Sequence, residues 1–479
     1  MMRLFKQRNQ TQKQAKSRLV FDSKWVKFKN NYSEFWKNHD LVKKILYTVL
    51  LLTIFVAAGT ITIPGVNLVN QDQLNGGDFL GILNLVGGGG LRNFSIVALG
   101  ISPFITASLI MMILQTKLFP PIYRLSQAGP AGRIKINIIT RFLTLGFAII
   151  QAIVLTRALK NPQTGFGIKI IEQLDTNAYA FFLLPLMLIA GSLFALFLGE
   201  QITNKGVGNG TSLIIFAGIA SNLIPTFRNA FEFLVPSIKH SSIVFKELLN
   251  FSVYLIGYLA VIMVVGVFYL AERHIPIQQV GAGLSKNEKE LSYLPLKANP
   301  AGIMSVIFSL MFLSLPTMIA GLFNPATSSY YNWIYTNFQM TQPIGFFLFV
   351  VITFAFTLLL GLQQSKIDKI SEDFAKNSTF IPGVRPGEQT EDYLIARILN
   401  LSYFSSIYLI LIGSMRYIEE MLHMPPAIAF GGTSLMILVS VTIETIQQLQ
   451  ARYKTQELAR KRKKILYSQQ NGEEGDLLW

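Results

Sequence analysis

About ten long apolar segments run through this sequence of 479 residues, and they constrain its fold more than any other feature. A helix that crosses the hydrocarbon core of a bilayer needs roughly 20 predominantly apolar residues. The segments approach that length, and charged residues are nearly absent from their middles, where an ionised side chain is costly. The sequence therefore predicts an all-α, polytopic membrane protein with transmembrane helices at 45–64, 94–115, 136–159, 179–199, 211–234, 248–270, 301–322, 342–362, 396–415 and 431–449.

The composition supports this class. Hydrophobic residues make up 51% of the chain and charged residues only 14%, whereas soluble domains average about 25% charged residues. A soluble fold of this length needs a polar exterior that these residues do not supply. This excludes an ordinary cytosolic enzyme, a disordered chain and a DNA-binding domain. Because the sequence has no cysteine, disulfides, thiolate metal sites and a cysteine nucleophile are also excluded.

Basic residues are concentrated at the two ends of the chain and in one short connection. Residues 1–44 carry twelve Lys or Arg, the connection 117–141 carries five and no acid, and 460–464 is a continuous basic run. Lys and Arg in short loops favour the cytoplasmic side of the membrane. Both termini are therefore predicted to be cytoplasmic, as an even number of spans requires.

The basic extension at 1–44 does not have the pattern of a cleavable signal. It is too long, and the apolar run that follows is long enough to span. Aromatic residues recur at helical spacing among its lysines, at Trp25, Phe28, Tyr32, Phe35 and Trp36. This pattern predicts an amphipathic helix on an anionic membrane surface. The alternative, a solvated basic tail, fits residues 1–20 better.

The ten spans are consistent with two sets of five. Duplication of an odd number of spans inverts the second copy, so the two halves are predicted to be inverted. The predicted divisions are an N-terminal half at 45–234, an outer hinge at 235–247, a C-terminal half at 248–449 and a cytoplasmic tail at 450–479. Two polar cytoplasmic loops, 271–299 and 363–397, are long enough to form structures of their own.

Motifs for enzymatic chemistry or energy coupling are missing from the sequence. There is no Walker A motif, no serine in a G-x-S-x-G context, and the GVGNG run at 206–210 lacks the lysine of a phosphate loop. The four histidines are dispersed and never have metal-ligand spacing. A coupled transporter normally places ionisable groups near mid-membrane, and these spans have none there. The pattern favours a passive conduit that is not an enzyme, with no cofactor and no metal.

Five segments together resemble the SecY family of protein-conducting channels. They occur in the family's order and with similar spacing, and the likeness runs from about residue 25 to 455. The resemblance implies a clamshell of two inverted five-helix halves around an hourglass pore, with a lateral gate toward lipid. The segments are IVALGISPFITASLIMMILQ at 96–115, FLGEQITNKGVGNGTSLIIFAGI at 197–219, 294–316 beginning LPLKANPAGIMSVIF, GVRPGEQT at 383–390 and GGTSLMI at 431–437.

The resemblance implies two devices that close the pore. A ring of side chains forms its waist, at Ile101, Ile105, Thr211, Ile215, Ile307 and Ile437, where Thr211 departs from the usual aliphatic type. A plug at 78–91, DFLGILNLVGGGGL, moves aside and is held by Phe79, Leu80, Ile82, Leu83, Leu85 and Val86. Each glycine of the run 87–90 disfavours a helix by about 0.5–1 kcal/mol, which suits a segment that must leave its seat. A disordered outer loop is the alternative for this segment.

The lateral gate implied by the resemblance places the second and third spans against the seventh and eighth. Thr106 and Leu315 fall on facing gate positions, and Gln151 is a candidate polar contact. Interhelical hydrogen bonds in membranes contribute about 0.6–2 kcal/mol, which is weak enough for a signal sequence to open the seam between these two pairs of helices. A Thr106 hydroxyl bonded to its own helix backbone is the alternative.

The two cytoplasmic loops resemble the family's docking site for the SecA motor and for the ribosome, through rRNA and exit-site protein. The loop tip at 281–290 mixes acids with bases where other members are mostly basic, so the basic ends of the chain are candidates to compensate. Solvated loop charge is the alternative for the lysines. Candidate docking residues are Arg273, Lys286, Lys289, Lys297 and Arg385. The other partners implied are SecE-like and SecG-like small subunits, the nascent polypeptide with its signal sequence, and anionic lipids.

With the resemblance, the sequence predicts a channel subunit of a bacterial plasma membrane that passes unfolded secretory proteins outward and releases transmembrane segments sideways. Two alternatives belong to other classes. A secondary solute transporter would use prolines within spans, such as Pro103 and Pro316, to break helices, but it would lack the usual buried charge. A membrane insertase or scaffold would act through the cytoplasmic loops without conducting.

Overall fold

The computed structural model describes residues 39–470, apart from 65, 69–78, 92, 117–118, 161–167, 171–178, 237–240, 280–291, 324–328, 341, 424–427 and 429–430. The predicted amphipathic helix of the N-terminal extension lies outside the described residues, as do Lys286 and Lys289. The side chains of Phe79 and Leu80 are also outside the description.

The N-terminal part of the described chain is built from helices α1 to α7. A π-helical turn, Tyr179–Leu183, leads into α6. Proline lies in the first turn of α3, α4 and α6, where its missing N–H costs no hydrogen bond. The helices are α1 (His39–Thr60), α2 (Phe79–Gly87), α3 (Ser102–Leu114), α4 (Pro120–Gln127), α5 (Gly129–Lys160), α6 (Leu184–Lys205) and α7 (Gly210–Leu234).

The C-terminal part continues with helices α8 to α15. Lys366 separates α11 from α12 in a left-handed conformation, with φ of 45°. The helices are α8 (Ser241–Leu270), α9 (Met304–Ala320), α10 (Ser329–Asn337), α11 (Pro343–Ser365), α12 (Ile367–Lys376), α13 (Glu388–Gly413), α14 (Met415–Met421) and α15 (Gly432–Gln470).

Each of the ten predicted spans coincides with a helix: α1, α3, α5, α6, α7, α8, α9, α11, α13 and the first half of α15. Among the described residues, seven helices are long and apolar enough to cross a membrane, and α3 and α9 are apolar but shorter. The segment before α3 forms turns instead of helix, with φ of 44° at Phe94 and 48° at Gly100. The prediction of a polytopic helical membrane protein is confirmed.

Several predicted boundaries differ from the structure. α1 begins at His39, within the predicted extension, and α8 begins at Ser241, within the predicted hinge. The predicted tail is helical as far as Gln470, because α15 continues well past its apolar half. Hydropathy marks where a chain leaves lipid, whereas a helix ends where its backbone hydrogen bonds end, so the two limits need not agree.

Among the described residues, three antiparallel pairs of short strands connect the loops. β1 (Val66–Leu68) pairs with β2 (Ile168–Ile170), and β3 (Glu272–Pro276) pairs with β5 (Tyr293–Lys297). β4 (Gln278–Gln279) pairs with β6 (Thr379–Phe380), which joins the two loops at 271–299 and 363–397. Strands of two to five residues are too short to show alternation, so the sequence did not predict them.

The largest apolar cluster lies between α1, α3, α6, α7, α9, α11, α13 and α15. A second cluster includes Leu83, Leu91 and Phe94, on the side toward β1, and a third lies beneath the β3–β5 hairpin. Large apolar side chains also cover the exterior, and Phe142 and Phe404 are 72% and 70% exposed. An exterior of this kind fits lipid as the surrounding solvent.

Candidate pore waist, plug and lateral seam

Five of the six predicted waist residues belong to the same apolar cluster. Ile101 precedes α3 and Ile105 lies in its first turn, four residues apart on one helix face. Ile215, Ile307 and Ile437 come from α7, α9 and α15, and all five isoleucines are between 1% and 6% exposed. Four helices therefore bring branched aliphatic side chains to one buried region.

The sixth predicted waist residue, Thr211, lies in the first turn of α7. Asn209 caps this helix: its Oδ1 accepts a hydrogen bond from the Thr211 N–H at 3.2 Å and from the Thr211 hydroxyl at 2.8 Å. The Thr211 side chain is half-buried. The Thr211 hydroxyl is therefore held by the helix cap, and Thr211 lacks the larger aliphatic side chain that the other five positions have.

The predicted plug contains α2, which connects two apolar clusters. Ile82 and Val86 are buried in the same cluster as the five isoleucines. Leu83, one position along from Ile82, is buried in the second cluster with Leu91. Leu85 is half-buried against the first cluster. The segment is therefore seated against the waist region by apolar contact on more than one of its sides.

The glycine run that follows α2 is a packed turn and not a destabilised helix. α2 ends at Gly87, and Gly88 and Gly89 have φ of 88° and 78°. A Cβ on Gly88 would lie 2.9 Å from a ring carbon of Phe55 on α1. The end of the helix at Gly87 agrees with the expectation that the glycine run disfavours a helix, and the left-handed conformations and close approach are what glycine permits.

Two further glycines leave room for the backbone of this turn. A Cβ on Gly218 of α7 would overlap the carbonyl of Gly88, and a Cβ on Gly100 would overlap the carbonyl of Gly87. The Asn222 Nδ2 donates to the Gly218 carbonyl at 3.0 Å and borders Gly89. The backbone of the plug segment therefore contacts the backbone of α7 directly, a contact that the sequence alone did not reveal.

A buried polar cluster lies where α3 meets α5 and α9. The Gln151 Nε2 on α5 donates to the Thr106 Oγ1 at 3.2 Å, and the Ser102 Oγ donates to the Gln151 Oε1 at 3.2 Å. The Thr106 hydroxyl lies 3.1 Å from the Ser102 carbonyl and 3.6 Å from the Met311 Sδ on α9. Thr106 therefore makes both predicted contacts, one with the facing helix and one with its own helix backbone. Leu315 is half-buried one turn further along α9.

Sequence reasoning missed two members of this polar cluster. Ser102 lies one turn before Thr106 on the same face of α3, a spacing that was available as a signal. Nothing in the sequence singled out Met311, because a methionine in an apolar span is usually an ordinary packing residue.

The β3–β5 hairpin and the α12–α13 connection form one face at the predicted cytoplasmic end. Arg273 on β3 and Arg385 before α13 are both exposed. Lys297 is exposed too, but its Nζ lies 5.5 Å from the ring centroid of Tyr269 and 3.4 Å from the Gln447 Oε1. Of the predicted docking residues that are described, the two arginines therefore present their charge outward, while Lys297 packs against α8 and α15.

An exposed ion pair borders this face on α12. The Lys376 Nζ lies 2.6 Å from the Glu372 Oε1. This hydrogen bond and the positive charge lower the pKa of the Glu372 carboxyl. Both side chains are largely exposed, so the pair contributes little to stability.

The fold and the apolar exterior define a class: a polytopic helical membrane protein. A family model described as SecY matches residues 95–446. Protein translocase subunit SecY of Mycoplasma capricolum subsp. capricolum is 37% identical over 454 residues, which cover 92% of this chain and 93% of that protein. The chain belongs to the SecY family, and it is a protein translocation channel subunit.

Solved structures share the fold. One, described as the structure of a protein conducting channel, is 17% identical with a TM-score of 0.60 and covers 85% of this chain and 91% of its own. Another, Sec61 in the canine ribosome-channel complex from the endoplasmic reticulum, is 17% identical with a TM-score of 0.55 and the same two coverages. These similarities confirm the predicted channel fold.

Proposed function

We propose that the five buried isoleucines form the waist of the translocation pore and that α2 with the glycine turn is its plug. The observation that carries the proposal is the convergence of Ile101, Ile105, Ile215, Ile307 and Ile437 from four helices into the cluster that also seats α2. A hydrophobic constriction blocks ions by excluding water. Aliphatic side chains can also move apart around an extended polypeptide, which a rigid polar filter cannot do.

We propose the seam that separates α3 and α5 from α9 and α11 as the lateral gate. α3 packs against both α5 and α9, and α9 packs against α11. The polar contacts that cross the seam are few and weak: the hydroxyls of Thr106 and Ser102 lie 3.6 Å and 4.0 Å from the Met311 Sδ. The Gln151 hydrogen bonds at 3.2 Å join α3 to α5 on one side of the seam and position these two hydroxyls. Such a seam holds closed without a substrate and opens when a hydrophobic signal sequence replaces these contacts with its own.

We place the subunit in a bacterial plasma membrane with both termini in the cytoplasm. The support is the charge distribution, since the basic residues of 1–44, 117–141 and 460–464 all fall on one side of the predicted spans. The exposed Arg273 and Arg385 then face the cytoplasm on structured loops. Planar guanidinium groups suit phosphate and carboxylate partners.

This cytoplasmic face is proposed to dock the SecA motor and the ribosome. The canine structure with the same fold is a ribosome-channel complex. SecE-like and SecG-like subunits and anionic lipids are the other proposed partners, the lipids through the basic extension. Because the chain has no motif for nucleotide hydrolysis, we propose that energy for transport comes from these partners and from the membrane potential.

Cysteine crosslinking tests the waist directly, because the chain has no native cysteine. We expect a single cysteine in Ile105→Cys to form a disulfide with a cysteine in a stalled secretory chain in native membranes. The bond requires the substrate to pass the waist, so it should depend on a functional signal sequence. Phe197→Cys on α6 is the control, because that side chain is 54% exposed on the exterior.

Absence of crosslinks at Ile105, Ile215 and Ile437, with the stalled chain bound to the complex, would overturn the pore assignment. Equal crosslinking at Ile105 and Phe197 would do so as well, because a substrate in a waist cannot touch the lipid-facing surface equally.

Gln151→Leu tests the gate. We expect the variant to release more of a marginally hydrophobic segment into lipid, by about threefold to tenfold, because Ser102 and Thr106 lose the interhelical hydrogen bonds that position them against Met311 across the seam. The fraction inserted is measured by protease protection. Thr156→Val is the control, since Thr156 is buried on the same helix but donates to its own backbone, to the Ala152 carbonyl at 2.8 Å. An unchanged inserted fraction in Gln151→Leu contradicts the gate assignment.

A further inference from the structure

An arginine bridges α5 and the end of α9 beyond the polar cluster of the seam. The Arg157 Nη1 donates to the carbonyl oxygen of Leu322 at 2.9 Å, across 165 positions of sequence. Arg157 is exposed near the end of α5, and Leu322 follows the last residue of α9 by two positions. In the predicted orientation both ends face outward, so the bond lies at the outer end of the seam.

The two helices also pack closely here. A Cβ on Gly321, the C-cap of α9, would lie 2.6 Å from the Val154 Cγ1. Val154 is 2% exposed and precedes Arg157 by three residues, so both side chains lie on one face of α5. Close packing and a charged hydrogen bond therefore coincide at one point of the seam.

The bond suits the chemistry of both groups. The Leu322 carbonyl lies just beyond the C-terminus of α9, and a cation near a helix C-terminus interacts favourably with the helix dipole. A guanidinium donor makes the hydrogen bond charge-assisted. Separation of α5 from α9 breaks this bond and returns both groups to water.

We propose that Arg157 is a positioning residue. Its hydrogen bond to Leu322, which we call the latch, holds the outer end of the seam closed and thereby sets how hydrophobic a signal sequence must be to open it. The proposal rests on the proposed lateral gate. A strongly hydrophobic signal gains enough free energy in lipid to offset the latch and the polar cluster together. A shortened signal does not, so the latch acts on specificity and leaves the pore unchanged.

The test compares Arg157→Gln with Arg157→Lys in the full chain, assembled in its membrane complex. We measure transport of one secretory protein with its full signal and with a signal shortened by two leucines. We expect Arg157→Gln to raise transport of the shortened-signal substrate by about threefold to tenfold, with the full-signal rate unchanged. Arg157→Lys keeps a charged donor and is expected to remain near the parent.

Arg141→Gln is the matched control. Arg141 is also an exposed arginine of α5, but it binds Glu200 of α6 at 2.8 Å and makes no contact across the seam in the described structure. We expect it to leave the signal requirement unchanged. If Arg157→Gln does not raise transport of the shortened-signal substrate, or if Arg141→Gln raises it equally, the latch is overturned.

Two further measurements keep the test decisive. If Arg157→Gln also loses full-signal transport, Val154→Ala replaces it, because that change loosens the same contact and is expected to relax the signal requirement. Crosslinking of the full signal to Leu315→Cys reports on the gate itself. Loss of that crosslink overturns the gate, whereas an intact crosslink with an unchanged signal requirement overturns the latch alone.

Discussion

Gly218→Ala is expected to raise ion leakage through the resting channel by about tenfold to a hundredfold. The added methyl group would occupy the position of the Gly88 carbonyl. α7 is a long helix packed on several neighbours, whereas the glycine turn has no side chains that hold it, so the turn is the part that moves. Overpacking costs roughly 1–3 kcal/mol, and here that cost falls on the seated plug and not on the displaced one. Conductance of the reconstituted complex without substrate measures the leak.

Gly146→Ala is the control for this prediction. Gly146 lies within α5, and a Cβ at that position would meet no atom within 4 Å. The variant adds the same methyl group without a clash and is expected to leave the resting conductance unchanged. If Gly218→Ala leaks no more than Gly146→Ala, the glycine turn is not what seats the plug.

Ile215→Ser is expected to raise ion leakage around a stalled polypeptide by about tenfold, because a hydroxyl at the waist lets water enter a constriction that otherwise excludes it. In the proposed mechanism the plug is displaced in this state, so the measurement isolates the waist. The conductance of the complex is recorded with a secretory chain arrested in the channel.

Ile214→Ser is the neighbouring control. Ile214 is also fully buried, but its Cδ1 lies 3.5 Å from the Cβ position of Gly199, so it packs toward α6. Both variants remove most of a buried isoleucine, and each is expected to lower the free energy of unfolding by about 2–5 kcal/mol. Only Ile215→Ser is expected to leak. Equal leakage from both would show that lost stability, and not the waist, causes it.

The spans show how far hydropathy alone can go. Each of the ten predicted spans overlaps a helix. The second span, however, was extended back to residue 94, where the structure has turns with φ of 44° at Phe94 and 48° at Gly100. Apolar residues are favourable in lipid whether or not they are helical, so hydropathy cannot separate a helix from a buried turn. The same limit hid the start of α8 at Ser241.

The candidate site shows a different limit. Because a single isoleucine in a span is usually an ordinary packing residue, the family resemblance was needed to single out Ile105 or Ile437. The helical spacing of Ile101 and Ile105 predicted a shared face, but no pattern predicted that α7, α9 and α15 would bring their isoleucines to the same cluster. Thr211 was recognised as a departure, and its cap on Asn209 became visible only in the structure.

The sequence by itself determined that this chain belongs in a membrane, where its spans lie and which family it belongs to. Those properties follow from transfer free energies that add up locally along the chain, and from motifs that are contiguous in sequence. Only the tertiary structure decided that Gly218 contacts Gly88, that Gln151 reaches Thr106 and that Arg157 reaches Leu322. Each of these contacts joins residues that are far apart in the chain. Each depends on how the helices are rotated and how closely they pack, which no local pattern encodes.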